Sequence, residues 1–186
     1  MGMPDTARRY TVDEVLAFPD DGNRYELVDG ELFVTPAPAQ GHEIVLVRLA
    51  FCVEQHLRSF PGVALMFVSR GDVIWAPGEY VQPDLFVVPS GEVTGDWRDC
   101  QTLLLAAEIV SPSSARADRV RKRLLYQRRG VATYWVVDPD AKVVEVWRPR
   151  QDRPEIVTEA LRWRVVPEAR ELVVDVSSLF AGLPPA

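Results

Sequence analysis

The sequence predicts an α/β protein in which a mixed β-sheet is flanked by a few helices and extended by additional β-hairpins. The first observation is the order of the segments: helix, hairpin, helix, several strands, helix and hairpin follow one another. The second is composition, since 47% of the 186 residues are hydrophobic, which is enough for one substantial core. We therefore expect a single domain covering residues 1–186.

No segment approaches the run of about 20 apolar residues that a membrane-spanning helix needs. The first ten residues, MGMPDTARRY, lack the apolar stretch of a secretory signal peptide. The two cysteines, Cys52 and Cys100, show neither metal-ligand nor redox spacing. We expect a cytoplasmic protein that does not associate with membranes.

The first third of the chain predicts a helix, a hairpin and a second helix. TVDEVLAFP is typical of a short helix, because Thr11 and Glu14 have the spacing of a capping box. RYELVDGELFVTP has two apolar-rich arms around Asp29 and Gly30, a dipeptide favoured in tight hairpin turns. Residues 42–58 predict the second helix from apolar side chains at helical spacing, which are Leu46, Leu49, Val53 and Leu57.

Strands dominate the middle of the chain. VALMFVS, DVIWA and DLFVVP are strand-like runs broken by Gly and Pro, and LLLAAEIV follows after a loop. A helix then extends to Gly130, with Ser113 or Ser114 as its N-cap. TYWVVD and KVVEVWR predict a hairpin across Pro139 and Asp140, and the tail has short strand-like pieces that end in VSSLF.

Two of the predicted strands carry acidic residues where apolar ones would be expected. Asp84 opens a strand directly after Pro83, and Glu108 lies inside the apolar run LLLAAEIV. Buried charges are costly unless they are paired or bind a metal. Either carboxylate alone could cap a turn or meet an arginine. Two of them on separate core strands indicate convergence on a hard cation such as Mg²⁺, which prefers oxygen ligands.

A polar stripe on the next helix is a third candidate element of a site. Asp118, Lys122 and Tyr126 recur at four-residue spacing, so they lie along one side of the helix. We expect this stripe to border an apolar arc that faces the core, formed by Ala117, Val120 and Leu124.

The choice of lysine at position 122 is informative because only two of the 21 basic side chains are lysines. The neighbours of Lys122 are both arginines, which indicates that a compact ammonium is needed there. The alternative is a simple ion pair on the helix surface, worth about 0.3–0.5 kcal/mol. Lys142 lies beside a hairpin turn and needs no special role.

The same helix is strongly basic, although the chain as a whole has a net charge of −6. We take Arg116, Arg119 and Arg123 as candidate contacts to nucleic acid, since phosphate contacts come from Lys and Arg. The alternative is a solvated basic face, and the overall acidity disfavours a general nucleic-acid binder.

A set of motifs in order along residues 11–148 resembles the Uma2 family, a branch of the PD-(D/E)XK restriction-endonuclease-like superfamily. The motifs are YELVDGEL, GHEIVLVRL, VQPDLFVV, AEIVSPSS, GVATYWVVDP and the D…K…Y stripe of Asp118, Lys122 and Tyr126. The resemblance implies a restriction-endonuclease-like core. By superfamily analogy it implies cleavage of phosphodiester bonds in DNA that depends on Mg²⁺ or Mn²⁺.

The resemblance assigns roles to individual residues. Asp84 matches the acidic residue of the PD element and Glu108 that of (D/E)XK, so these two are the implied metal ligands. The position where the simplest pattern has lysine is Val110. Lys122 resembles the displaced lysine that the Uma2 pattern places on the following helix.

Asp118 and three further residues are candidate supporting members of the site. Glu26 resembles the N-terminal acidic position of the family, with an exposed strand carboxylate as the alternative. His42 lies on the inward stripe of its helix, so it either contacts metal, water or phosphate at the pocket mouth, or is a capping or otherwise satisfied histidine. Tyr126 either serves the site or packs with its hydroxyl bonded to a carboxylate.

The leading hypothesis is therefore a metal-dependent endonuclease. Asp84 and Glu108 would bind Mg²⁺, with Glu26 as a candidate third ligand, and Lys122 would orient or deprotonate the attacking water. One alternative is a non-catalytic module that keeps the nuclease fold and binds nucleic acid or protein. Another is a hydrolase for a smaller phosphorylated substrate, because no separate DNA-grasping domain is visible in the sequence.

We also expect a homodimer, since a duplex has two strands and two-fold pairing is the commonest assembly. The candidate surface is the hairpin of TYWVVD and KVVEVWR, which has more apolar side chains than one solvated face needs: Trp135, Val137, Val144, Val146 and Trp147. The alternative is that this hairpin extends the core sheet and is buried on both faces.

Overall fold

The computed structural model describes residues 8–68, 71–111 and 114–184. Its strands are β1 (Arg24–Val28), β2 (Glu31–Thr35), β3 (Ala64–Val68), β4 (Val73–Ala76), β5 (Glu79–Val81), β6 (Leu85–Pro89), β7 (Leu105–Ile109), β8 (Tyr134–Asp138), β9 (Val143–Trp147), β10 (Glu155–Val157), β11 (Ala160–Trp163) and β12 (Leu172–Asp175). Its α-helices are α1 (Val12–Leu16), α2 (Gln40–Leu57), α3 (Arg123–Arg128) and α4 (Val176–Phe180). A π-helical segment, Ala117–Lys122, leads directly into α3.

The central sheet has six strands in the order β10-β9-β8-β7-β6-β3. Strands β7 and β8 pair in parallel, and the other neighbours are antiparallel. The parallel pair is possible because the helical connection between β7 and β8 crosses over one face of the sheet. The predicted α/β fold with a mixed sheet flanked by helices is confirmed.

A second sheet of four strands has the order β2-β1-β5-β4, and β11 pairs with β12 in a separate hairpin. The β1-β2 hairpin turns at Asp29 and Gly30, which both have positive φ angles, 54° and 76°. This is the backbone conformation that an Asp-Gly hairpin turn requires. The predicted capping box of α1 is also present, because the Thr11 side chain accepts from the Glu14 amide and the Glu14 side chain accepts from the Thr11 amide.

The two faces of the central sheet pack against different partners. Side chains alternate along β7, so that Leu105, Ala107 and Ile109 join the core beneath α2 and α4, whereas Ala106 joins the core beneath α3. Glu108 lies two residues after Ala106, so its side chain is on the same face of the strand and faces the helical crossover. This alternation, set by the period of the strand, places the acidic residue next to the polar stripe of the crossover.

The β8-β9 hairpin is an interior part of the sheet. Its five apolar side chains are buried, with Trp147 the most exposed at 7%. Four of them join the core that includes α2 and α4, and Trp147 joins the core on the opposite face of the sheet. The hairpin surface that we predicted for dimerisation is therefore not available on this molecule.

Several elements differ from the sequence prediction. Strand β5 was not predicted, and VSSLF forms the helix α4 instead of a strand, with the Asp175 side chain capping it by accepting from the Ser177 amide. Of the two predicted N-cap residues, Ser113 lies outside the described residues. No helix in the part of the chain that the structure describes is long and apolar enough to cross a membrane.

Candidate active site

Four carboxylates from four separate elements are buried at one place. Glu26 comes from β1, Asp84 from the residue before β6, Glu108 from β7 and Asp118 from the π-helical segment. None is more than 2% exposed. Such a concentration of buried acid is stable only when cations, protons or hydrogen-bond donors compensate it.

The Lys122 ammonium joins three of these carboxylates. Its Nζ atom lies 2.7 Å from Glu26 Oε2, 3.0 Å from Glu108 Oε1 and 3.4 Å from Asp118 Oδ1. The Tyr126 hydroxyl donates a second hydrogen bond to Glu108 Oε1, at 2.9 Å. The structure thus brings together Glu26, Glu108, Asp118, Lys122 and Tyr126, all of them candidates from the sequence.

The crossover presents its polar stripe to the interior, and its apolar arc faces outward. Asp118 and Lys122 are 2% and 3% exposed, whereas Val120 and Leu124 are 45% and 46% exposed. The orientation that we predicted for the apolar arc is therefore wrong for those two residues. The buried carboxylates of the two sheets attract the Lys122 ammonium inward. The free energy gained by pairing these charges outweighs the free energy that burial of Val120 and Leu124 would give.

Asp84 is held by a different set of donors. Arg24 Nη1 lies 2.7 Å from Oδ1, while Oδ2 is 3.0 Å from His42 Nε2 and accepts the Ile109 amide at 2.8 Å. His42 reaches this carboxylate because it is in the first turn of α2, directly after the segment that connects β2 to the helix. Its inward position agrees with the predicted stripe of α2.

Arg24 is a site residue that the sequence analysis missed. Its Nη1 also donates to Gln82 O at 3.0 Å, and its Nε lies 3.9 Å from Glu26 Oε2. A signal was present, because Arg24 and Glu26 are two positions apart on β1 and so point to the same face of the strand. The partner Asp84 is distant in sequence, which is why pattern alone did not pair them.

The electrostatics of the site divide the carboxylates into two groups. Burial raises the pKa of Glu108 well above its usual value, and the nearby acids raise it further despite Lys122. Burial likewise raises the pKa of Asp118. Burial acts in the same direction on Asp84, but the hydrogen bond from His42 and the charge of Arg24 outweigh it and hold the pKa of this carboxyl well below its usual value.

The surroundings of Lys122 and of His42 favour the protonated form of each group. Burial opposes the charge of Lys122, but the carboxylates of Glu108, Glu26 and Asp118 outweigh it and raise the pKa of the ammonium. Burial also opposes the imidazolium of His42, and the hydrogen bond to Asp84 outweighs it and raises the pKa of the ring. The raised pKa disfavours Lys122 as a general base, and its role in orienting or deprotonating the attacking water stays a prediction.

A cavity of about 560 Å³ opens onto the Asp84 side of the site. Arg24, His42, Asp84 and Ile109 line it, together with residues 35–39 at the end of β2 and before α2. This volume is in the range of small-molecule pockets, about 300–1,000 Å³. The acidic cluster is thus buried but lies next to a space that a substrate group can enter.

The donor set fits a divalent cation in chemistry and in charge. Four carboxylates face two permanent cations, Arg24 and Lys122, so the ionised cluster keeps two uncompensated negative charges, or one when His42 is protonated. Hard oxygen donors with this excess suit Mg²⁺ or Mn²⁺. Within the described ranges, however, no three His, Cys, Asp or Glu side chains have the arrangement of a formed metal site.

Two of the three candidate basic side chains of the crossover, Arg119 and Arg123, make contacts within the chain. Arg119 pairs with Asp138 and Glu145, each at 2.5 Å, and Arg123 stacks over the ring of Trp147 at 4.7 Å. Of the three predicted nucleic-acid contacts, Arg116 is exposed. Arg119 is thus paired within the chain and Arg123 is partly buried, and contact of these three arginines with nucleic acid stays a prediction.

The fold and the site define a mixed α/β protein with a buried acidic cluster beside a cavity. The structure is similar to a crystal structure described as a "putative nuclease belonging to DUF820" from Anabaena variabilis ATCC 29413, with a TM-score of 0.77 and 21% identity, covering 94% of this chain and 99% of that chain. Residues 12–178 match the model of the Uma2 family, described as "Putative restriction endonuclease". The chain belongs to the Uma2 family, as its motifs predicted. No curated protein matches it.

Proposed function

We propose that this protein is an endonuclease that hydrolyses phosphodiester bonds in DNA with the aid of Mg²⁺ or Mn²⁺, acting in the cytoplasm. The observation that carries the proposal is the buried cluster of Glu26, Asp84, Glu108 and Asp118, which has more negative than positive charge and adjoins a cavity. Its membership of a nuclease-like family supports the same conclusion.

The residues of the chain have distinct roles in this proposal. Asp84 and Glu108 would hold the cation, because Glu108 lies on β7, Asp84 directly precedes the antiparallel neighbour β6, and both carry hard oxygen donors. Mg²⁺ would supply Lewis-acid stabilisation of the charge that develops on the phosphoryl group. The Ile109 amide orients the Asp84 carboxylate, and the Tyr126 hydroxyl orients that of Glu108.

Lys122 acts as an ammonium in this scheme. Since its pKa is raised, it would stay protonated rather than take the proton of the attacking water, and it would keep Glu26, Glu108 and Asp118 together while offsetting part of their negative charge. His42 holds Asp84 through Nε2 and lines the cavity, which gives it a positioning role.

The test is cleavage of supercoiled plasmid and of single-stranded DNA with Mg²⁺, with Mn²⁺ and with a chelator. We expect cleavage that needs the metal and falls about 10²-fold or more in Glu108→Gln, which removes a charged donor but keeps the shape of the side chain. Glu155→Gln is the matched control, because Glu155 is an exposed glutamate on the edge strand β10. Equal cleavage by both variants, or cleavage without metal, would contradict the proposal.

A second candidate is hydrolysis of a smaller phosphorylated substrate. The observation that favours it is the depth of the acidic cluster, which is at most 2% exposed and adjoins a cavity of about 560 Å³. The two candidate functions are distinguished by assaying bis(p-nitrophenyl) phosphate and p-nitrophenyl phosphate under the same conditions as DNA. Turnover of either ester without cleavage of DNA would favour the second candidate.

A further inference from the structure

Every oxygen of the Asp84 carboxylate already has a partner within the chain. Oδ2 accepts two hydrogen-bond contacts, from the Ile109 amide at 2.8 Å and from His42 Nε2 at 3.0 Å. Oδ1 accepts one, from Arg24 Nη1 at 2.7 Å. A cation that binds this carboxylate must therefore displace or share a partner, and Oδ1, with a single partner, is the oxygen that is easier to free.

Arg24 is placed so that it can leave Asp84. Its side chain is 18% exposed, unlike that of Lys122 at 3%, and it lines the cavity. The guanidinium has two partners besides Asp84, the Gln82 carbonyl at 3.0 Å from the same Nη1 atom and Glu26 Oε2 at 3.9 Å from Nε. If Nη1 leaves Asp84, the charge of Glu26 beside Nε still compensates the guanidinium. The backbone amide of Ile109 is fixed in β7 and cannot move in this way.

We propose, on the basis of the nuclease function proposed above, that Arg24 is a built-in counter-ion that competes with the divalent cation for Asp84 and, once displaced, binds a phosphate group of the substrate in the cavity. Two positive groups at one carboxylate oxygen repel each other, so cation and guanidinium exclude one another there. The planar fork of arginine matches phosphate oxygens with paired hydrogen bonds. Loading of the metal then prepares the cavity for the anionic substrate.

This role predicts opposite changes for two ligands in Arg24→Gln. Mn²⁺, measured by titration calorimetry, should bind about tenfold more tightly, because a charged competitor of Asp84 is gone. A single-stranded oligonucleotide, measured by fluorescence anisotropy with saturating Ca²⁺ in place of Mg²⁺, should bind about tenfold more weakly, because one phosphate contact is lost. If Arg24 only supported the fold, its substitution would weaken the binding of both Mn²⁺ and the oligonucleotide.

Two further variants serve as controls. Arg121→Gln removes an exposed arginine that pairs with Glu31 at 3.1 Å, and should change neither affinity. Arg24→Lys keeps the charge but not the fork, so we expect Mn²⁺ affinity within about threefold of wild type and oligonucleotide affinity reduced severalfold. Because it keeps the ion pair, Arg24→Lys also tests the phosphate contact if Arg24→Gln fails to fold, as judged by circular dichroism.

The outcomes separate this inference from the proposed function. If wild type binds Mn²⁺ and cleaves DNA but Arg24→Gln binds Mn²⁺ no more tightly, the inference is overturned and the nuclease stands. Weaker binding of both ligands, or unchanged oligonucleotide affinity in Arg24→Lys, also overturns it. If Arg24→Gln binds Mn²⁺ and wild type does not, the inference is supported. If neither protein binds Mn²⁺, both the inference and the metal-dependent nuclease are overturned.

Discussion

Lys122 is surrounded on three sides by carboxylates in an interior position, and this explains why the chain uses lysine there. An ammonium is a compact point charge that can approach Glu26, Glu108 and Asp118 within 3.4 Å at once. A planar guanidinium is larger and directs its donors in one plane. Lys122 is buried and contacts three carboxylates, so it is not a simple ion pair on the helix surface.

Lys122→Met should lower the free energy of unfolding by about 3–5 kcal/mol at pH 8, because it leaves buried carboxylates without their cation. Urea unfolding measures this change. Lys142→Met is the matched control, since Lys142 is the other lysine and is exposed, and its effect should stay within about 0.5 kcal/mol. The loss should become smaller as the pH falls, because the raised pKa values of Glu108 and Asp118 favour their neutral, protonated forms in acid. Similar losses in the two variants would count against this account.

His56 is a buried histidine far along α2 from the site. It is 5% exposed, packs against Phe60 and Trp163, and its Nε2 has no hydrogen-bond partner among the described residues. Burial lowers the pKa of the ring below its usual 6.5, and the charge of Arg170 adds to the effect. The folded state therefore prefers the neutral ring.

This preference gives a signed dependence of stability on pH. The unfolded chain binds the proton first, so the contribution of His56 is complete above pH 6.5 and is lost as the pH falls below that value. We expect the melting temperature of wild type to fall between pH 7.5 and 5.5, and to fall less in His56→Gln. An equal drop in both proteins would show that other groups control the acid sensitivity.

At the scale of elements, α2 connects the site to the C-terminal segment. His42 in its first turn contacts Asp84, while Arg48 in its middle donates to Leu179 O at 3.0 Å and to Ala181 O at 2.7 Å, at the end of α4. The helix is therefore fixed at its first turn and at its middle by polar contacts, in addition to its apolar face. Displacement of α2 would move His42 and one wall of the cavity.

Arg48→Met should lower the free energy of unfolding by about 1–3 kcal/mol, because two carbonyls lose a charged donor while the aliphatic contacts remain. Arg58→Met is the control on the same helix, since Arg58 is exposed and pairs with Glu54 one turn earlier. We expect that change to be within about 0.5 kcal/mol. Equal effects in a chemical denaturation experiment would exclude a special role for the Arg48 contacts.

The crossover shows how an element can depart from its own apolar pattern. Its π-helical segment has the Arg123 amide donating to Asp118 O, five residues back. π-Helical segments are rare in proteins, and those that occur are often found at functional sites. Here it lies next to the buried acids, and it combines inward polar side chains with two exposed aliphatic ones.

At the scale of the whole molecule, the homodimer stays a prediction with no surface assigned to it. The β8-β9 hairpin cannot provide the interface because its apolar side chains are already buried in the central sheet. The remaining reasons are the two strands of a duplex and the frequency of two-fold assemblies. Sedimentation equilibrium at micromolar concentration should give twice the 20.9 kDa chain mass. A single species at 20.9 kDa would remove the dimer and the idea of paired strand cleavage.

The sequence by itself determined those features that depend on neighbours along the chain. The capping box of Thr11 and Glu14, the turn at Asp29 and Gly30, and the strand that carries Glu108 were all predicted from local pattern, because each rests on contacts or periodicities within a few residues. The motifs that identified the family are likewise short segments in a fixed order.

Only the tertiary structure decided which charges meet and which faces are buried. Arg24 and Asp84 are 60 positions apart, and the partners of Lys122 include residues from two different sheets. Hydrophobic periodicity placed Val120 and Leu124 inside, but they are exposed because the buried carboxylates required the opposite side of that helix. The energy of a buried charge depends on partners that the fold brings from distant segments, and a local pattern contains no information about them.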